Sequence, residues 1–243
     1  MRGKMGLDVI TLSNPESVAS EQYRSIRSNI QIQREKQKIN SVMITSANPG
    51  EGKTTTSINL AISFALMKCK TLLIDGDLRK CSISEMLNVS KAKGLCGILE
   101  DDDSIKLDTY STNVEYLDFL PSGIYRENPA EIFSKELFSI FLNKLSETYD
   151  LVIIDVPPIK EVADAQILST KVDSCILVVR DNKSSKKSIL EAKKALDTTG
   201  ANMLGIIYNG HKIKSSKYYG RGGYGYGYGY GKKKKKSLTN FWK

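Results

Sequence analysis

The 243-residue sequence predicts an α/β fold with a doubly wound, mostly parallel sheet. Three observations carry that expectation. Five short runs of aliphatic and β-branched residues recur along the chain, helical stretches separate them, and the runs are continuous rather than alternating. Continuous runs mark strands covered on both faces, which is the situation of parallel strands flanked by crossover helices.

Taken in order, residues 1–20 read as irregular, and Glu21 to Lys38 carries a helical pattern. The run from Ser41 to Ser46 has strand length, and Asn59 to Met67 reads as a buried helix. Further strands are expected at Thr71–Asp75, Leu151–Asp155, Cys175–Val179 and Leu204–Tyr208, the last closing the folded part. Asn128-Pro129-Ala130-Glu131 opens one of the intervening helices. Asn suits the N-cap, Pro the first turn, and Glu at the third position completes a capping box. No internal repeat is visible in this body. Three divisions follow: an N-terminal segment over 1–39, a nucleotide domain over 40–211, and a tail over 212–243.

The composition is that of a soluble chain, with 40% hydrophobic and 26% charged residues. Its net charge of +9 is unevenly placed. Ten of the 36 basic residues lie between Lys212 and Lys243, which holds no acidic residue, so the other 26 face all 27 acids. A near-neutral body therefore carries a cationic tail. Within it, Tyr218 to Gly231 is a Tyr/Gly repeat without aliphatic residues, and disorder is expected there. No apolar run approaches the roughly 18 residues of a membrane span, and the N-terminus lacks a signal-peptide core. Cys69, Cys81, Cys96 and Cys175 show no metal-type spacing and read as buried reduced thiols. One histidine, His211, excludes chemistry that needs a histidine pair.

The most informative stretch is Ala47-Asn-Pro-Gly-Glu-Gly-Lys-Thr54, a P-loop pattern with Ala in place of the first Gly. A strand precedes it and a helix follows. Backbone N–H groups in such a loop face a phosphate, aided by the helix N-terminus. Lys53 is expected to reach the terminal phosphates and the Thr54 hydroxyl to hold Mg²⁺. Asp75 and Asp77 lie at the C-terminal end of one strand and Asp155 at the end of another, where open α/β sheets bind ligands. Three carboxylates beside a phosphate repel it unless a metal lies between, so they imply a magnesium–nucleotide complex.

These residues resemble the bacterial tyrosine kinases of capsule and exopolysaccharide synthesis, a branch of the P-loop NTPase type. The family's Asp-x-Asp-x-Arg motif after aliphatic residues is matched by Leu72 to Arg79, and its Walker B motif by Leu151 to Pro158. Its Glu-x-x-Arg-x-x-Arg motif is matched by Glu21, Arg24 and Arg27. Its C-terminal tyrosine cluster is matched by Tyr218, Tyr219, Tyr224, Tyr226, Tyr228 and Tyr230. The resemblance implies transfer of the ATP γ-phosphoryl group to tyrosine, principally on the tail. It implies catalytic roles for Lys53, Asp75 and Asp77, with the division between the two aspartates left open. It implies nucleotide contacts from Pro49, Gly50, Glu51, Gly52, Lys53, Thr54 and Thr55, and metal contacts from Thr54, Asp77 and Asp155. Asn209 resembles the family's base-contacting asparagine, with a strand-end cap as the other reading. Glu21, Arg24 and Arg27 are implied to form a subunit contact in a ring-type homo-oligomer. A membrane-embedded activator or polysaccharide co-polymerase, met in trans, and a cognate tyrosine phosphatase are implied partners. The expected location is cytoplasmic, at the inner face of the membrane through that partner.

Two other readings compete. A Walker-type switch ATPase carries an additional lysine early in the P-loop, where this chain has Asn48. An RNA-binding protein fits the Arg/Tyr/Gly tail, but the body offers no basic face to extend such a site, and no nucleic-acid partner is expected. Tail lysines Lys232 to Lys236 also suit an anionic membrane surface. Phosphorylation at about −1.5 to −2 per site would offset that charge.

Overall fold

The computed structural model describes residues 9–89, 93–100, 107–124 and 128–211. The tail over 212–243, with its tyrosines and lysines, lies outside the described residues. Among the described residues seven strands form one sheet: β1 (Ser41–Ser46), β2 (Thr71–Asp75), β3 (Tyr110–Ser111), β4 (Leu117–Leu120), β5 (Leu151–Asp155), β6 (Ser174–Arg180) and β7 (Met203–Asn209). Their order is β3-β4-β2-β5-β1-β6-β7. Every pairing is parallel except β3 with β4. The chain leaves β1 toward β2 on one side and later reaches β6 on the other. The C-terminal end of β1 is thus a topological switch point, where a ligand crevice is expected.

The helices are α1 (Ile10–Ser13), α2 (Val18–Gln37), α3 (Lys53–Ala65), α4 (Ser82–Met86), α5 (Gly94–Leu99), α6 (Pro129–Ser134), α7 (Glu136–Ser146), α8 (Ala163–Ser169) and α9 (Lys186–Thr198). They enclose two apolar cores, one on each face of the sheet. Leu72, Ile74, Val152, Ile154 and Leu177 point into the core that contains Phe133, Phe138 and Phe141. Leu73, Leu151, Ile153, Ile176 and Val178 point into the other, against Leu60, Ile62 and Phe64 of α3. Successive side chains enter opposite cores, so these strands read as unbroken aliphatic runs.

The structure departs from the sequence expectations at several places. The segment 1–20 holds α1 and the start of α2, whose N-cap Ser17 accepts from the Ser20 N–H at 3.1 Å. α3 begins at Lys53, six residues ahead of the expected helix, because its first turns are polar and grow directly out of the P-loop. Strands β3 and β4 were not expected: β3 has two residues, and Asp118 interrupts the apolar run of β4. At α6, Asn128 caps through the Ala130 N–H, and the Glu131 N–H donates instead to the Asn128 main-chain carbonyl at 2.9 Å. The cap therefore forms without the expected side-chain bond to the third residue. All four cysteines are free thiols. Cys96 and Cys175 are buried, whereas Cys69 and Cys81 are half-buried.

Candidate nucleotide and phosphoryl-transfer site

The loop after β1 turns sharply into α3, with φ of 70° at Gly50 and 97° at Gly52. A side chain is excluded at Gly52 twice over, since a Cβ there would lie 2.1 Å from Asn209 Nδ2. Ala47 is buried in the core beneath the loop, so its methyl group fills space rather than obstructing the turn. Pro49 and Gly50 form the exposed tip.

A buried carboxylate braces this loop from behind. Glu51 has no exposed surface. Its Oε2 accepts the Asn48 N–H at 2.9 Å, and its Oε1 accepts Asn48 Nδ2 at 2.7 Å and the Ser184 hydroxyl at 2.5 Å. Asn48 Oδ1 accepts the Ser188 hydroxyl of α9 at 2.8 Å. Asn209 Nδ2 donates to the Glu51 carbonyl at 2.9 Å, while Lys183 Nζ and Arg180 Nη1 donate to the Gly50 carbonyl at 3.1 and 3.3 Å. Carbonyls are thus bound from outside the loop. The Glu51 side chain belongs to the scaffold, which leaves its main chain for any nucleotide contact.

Inside the loop, Lys53 is buried with its Nζ 3.1 Å from Asp77 Oδ2 and 3.5 Å from Asp155 Oδ2. Asp155 also accepts the Thr54 hydroxyl at 2.7 Å and the Ser57 hydroxyl at 3.0 Å. Asp75 stands beside Asp155 in the sheet register, and its Oδ2 accepts from the Ser84 N–H and hydroxyl at 2.8 and 2.7 Å. Its Oδ1 is buried without a hydrogen-bond partner among the described residues. Burial pushes the Asp75 carboxyl up to about 6; the Ser84 bonds oppose that rise, and Asp155 and Asp77 add to it. Burial also raises Asp155, against the pull of Lys53, Thr54 and Ser57. For Lys53 burial acts downward, but Asp155 and Asp77 outweigh it and hold the amine protonated. One ammonium facing three buried carboxylates leaves the cluster short of positive charge, and that shortage favours a cation.

The other expected residues are dispersed. Thr55 lies on the exposed side of α3 and, with Asn209, lines a groove of about 1000 Å³ between α2, α3 and β7. Arg79 leaves the Asp-x-Asp loop to pair with the buried Asp164 of α8 at 2.8 Å. Glu21, Arg24 and Arg27 all sit on α2. Arg24 pairs with Glu21 on the surface and reaches the Pro15 carbonyl at 2.9 Å, whereas Arg27 donates to the Ser63 carbonyl of α3 at 3.1 Å.

A family model described as an AAA domain matches residues 39–201. The tyrosine-protein kinase YwqD of Bacillus subtilis is 42% identical over 217 residues, which is 89% of this chain and 92% of that protein. The chain belongs to the bacterial tyrosine-protein kinases. The kinase domain of the Escherichia coli tyrosine kinase ETK superposes on this kinase with a TM-score of 0.81 at 29% identity, covering 95% of this chain and 88% of that one. A septum site-determining protein MinD from Pyrococcus horikoshii, complexed with Mg-ADP, aligns at a TM-score of 0.56 and 26% identity over 70% of the kinase and 69% of its own chain. Family membership supports the kinase reading over a switch ATPase or an RNA-binding protein.

Sequence reasoning missed several residues of the candidate site: Ser57, Ser84, Ser122, Asp164, and the Asn48, Ser184 and Ser188 partners that brace the loop around Glu51. Ser57 was reachable, since it lies one helical turn beyond Lys53 on the same face. The others depend on contacts between elements that no local pattern encodes.

Proposed function

We propose that the kinase transfers the γ-phosphoryl group of ATP to tyrosines of its own C-terminal segment: Tyr218, Tyr219, Tyr224, Tyr226, Tyr228 and Tyr230. By that modification it regulates capsular or exopolysaccharide synthesis and export. The observation that carries this reading is the buried cluster in which Lys53 and Thr54 of the P-loop meet Asp77 and Asp155, with Asp75 adjoining.

The donor set fits Mg²⁺. A hydroxyl and two carboxylates are hard oxygen ligands, and this ion takes few protein ligands beside water and phosphate. Thr54, Asp77 and Asp155 would hold it, and when bound it supplies positive charge to the β- and γ-phosphates. The main-chain N–H groups from Gly50 to Thr55, at the N-terminus of α3, bind and orient the phosphates. On nucleotide binding Lys53 exchanges its carboxylate partners for phosphate oxygens. The tyrosine oxygen bonds to the γ-phosphorus as the bond to the β–γ bridging oxygen breaks, and ADP departs with that oxygen. The phenolic proton passes to Asp75, whose unpartnered Oδ1 suits acceptance, while Asp77 serves the metal. Phosphoryl transfer has a loose transition state, so positioning and charge neutralisation supply most of the rate. Asn209 contacts the base through its amide oxygen, since its amide nitrogen is committed to the Glu51 carbonyl.

The wider assignments follow the family. Glu21, Arg24 and Arg27 contribute a contact between copies, the activator is a membrane-embedded co-polymerase, and a cognate phosphatase reverses the modification. Among the described residues no helix is long and apolar enough to cross a membrane. Incubating the purified chain and its activator fragment with Mg²⁺ and γ-labelled ATP tests the proposal. Label is expected on the tail tyrosines and lost when all six become phenylalanine. Undiminished label in that variant would move the acceptor elsewhere.

A further inference from the structure

Asp75 is gripped at one oxygen only. Both hydrogen bonds fall on Oδ2, from the Ser84 N–H and the Ser84 hydroxyl. Ser84 Oγ lies 3.0 Å from the Ser122 main-chain nitrogen and 3.1 Å from the Ser122 hydroxyl. A main-chain N–H can only donate, so Ser84 Oγ is the acceptor in that bond. The Ser122 hydroxyl donates to the same oxygen, which turns the proton of Ser84 toward Asp75 Oδ2. Asp75, Ser84 and Ser122 have no exposed surface, so solvent does not compete for these bonds. Ser84 lies in α4 and Ser122 follows β4, so the arrangement joins three separate elements.

We propose that Ser84 is a positioning residue for phosphoryl transfer, oriented by Ser122, that pins Oδ2 of Asp75 and reserves Oδ1 as the oxygen receiving the tyrosine proton. The inference rests on the proton-acceptor role of Asp75 given above. An aspartate carboxyl rotates easily about its last torsion, with two near-equivalent orientations. Two donors on one oxygen break that equivalence. Ser84→Ala keeps the N–H and removes the hydroxyl, so the carboxylate stays in place but loses the contact that sets its rotation.

The test is single-turnover tail phosphorylation by the full chain at saturating Mg²⁺–ATP, in Ser84→Ala, Ser84→Thr, Asp75→Asn and the double variant Ser84→Ala/Asp75→Asn. Ser84→Ala is expected to slow transfer roughly tenfold, a fraction of what general-base catalysis provides. Its KM for ATP should stay within about twofold. Ser84→Thr restores most of the rate, with Ser84→Cys as the smaller rescue if threonine does not fit the buried position. In the Asp75→Asn background, Ser84→Ala should cause no further loss, because its effect runs through Asp75. A full tenfold further loss there would overturn the Ser84 role alone. A rise in KM with an unchanged transfer rate would overturn it equally. If Asp75→Asn transfers at the wild-type rate, the proton-acceptor reading falls and the Ser84 role falls with it.

Discussion

Asp75→Asn should make the protein more stable at neutral and alkaline pH while abolishing most of its transfer activity. In the folded chain the Asp75 carboxyl is held at about 6, against an ordinary 3.8, chiefly by burial. A raised folded value means that the folded state keeps its proton to higher pH than the unfolded chain. The associated stability is full below about pH 4 and is lost as pH rises through about 6. At about 1.4 kcal/mol per pH unit, the gap amounts to about 3 kcal/mol of strain in the ionised native state. Asparagine removes the charge and still accepts from Ser84 through its amide oxygen. Its amide nitrogen then occupies the place of the unpartnered Oδ1, at about 1–2 kcal/mol for a buried unsatisfied donor. The net expectation is a gain of about 1–2 kcal/mol at pH 8. The assay is urea unfolding of wild type and variant, without nucleotide and with chelator, at pH 8 and pH 4.5. The advantage should be gone at the lower pH. A variant equally or less stable at pH 8, or one whose advantage is the same at both pH values, would show that Asp75 is not a strained carboxylate.

Three further perturbations probe the rest of the site. Lys53→Ala should abolish tail phosphorylation and lower nucleotide-free stability by about 3 kcal/mol, since it strands Asp77 and Asp155 in the interior; paired urea melts and label incorporation check both effects. Glu51→Ala should cost about 2–4 kcal/mol and weaken nucleotide binding at least tenfold, because Asn48 and Ser184 lose their acceptor behind the loop; thermal melts and nucleotide titration read these changes. Gly52→Ala should weaken nucleotide binding more than Gly200→Ala. Both have positive φ, but only at Gly52 does the added carbon meet a neighbour, Asn209. Equal nucleotide affinities in the two variants would argue against close packing at Gly52.

Strands β1, β2 and β5 were legible to the residue because both faces of each are covered, so Leu72 and Leu73 are equally apolar although they serve different cores. β4 was hidden because Asp118 turns toward the Tyr149 hydroxyl at 2.9 Å, and a polar residue in a four-residue run hides the strand. The N-terminal turn of α3 was readable from the P-loop motif and not from apolar patterning, because Lys53, Thr54 and Ser57 spend their polar groups on Asp77 and Asp155. The P-loop and the three aspartates were readable because each sits at the C-terminal end of an aliphatic strand or within two residues of it. Ser84 and Ser122 were not, since nine residues separate Asp75 from Ser84 and 38 separate Ser84 from Ser122. Glu51 illustrates the opposite case. Its position in the motif suggested a nucleotide contact, while burial assigned its carboxylate to the scaffold.

The central proposal is that the phosphoryl group leaving ATP arrives on tyrosine rather than on water. The stoichiometry of phosphotyrosine to ADP in a single turnover, with the activator fragment present and the tail intact, measures this directly. A ratio near one for wild type, with neither product in Lys53→Ala, is the expected result. ADP formed with an equal amount of free phosphate and no phosphotyrosine would instead make the chain a switch ATPase.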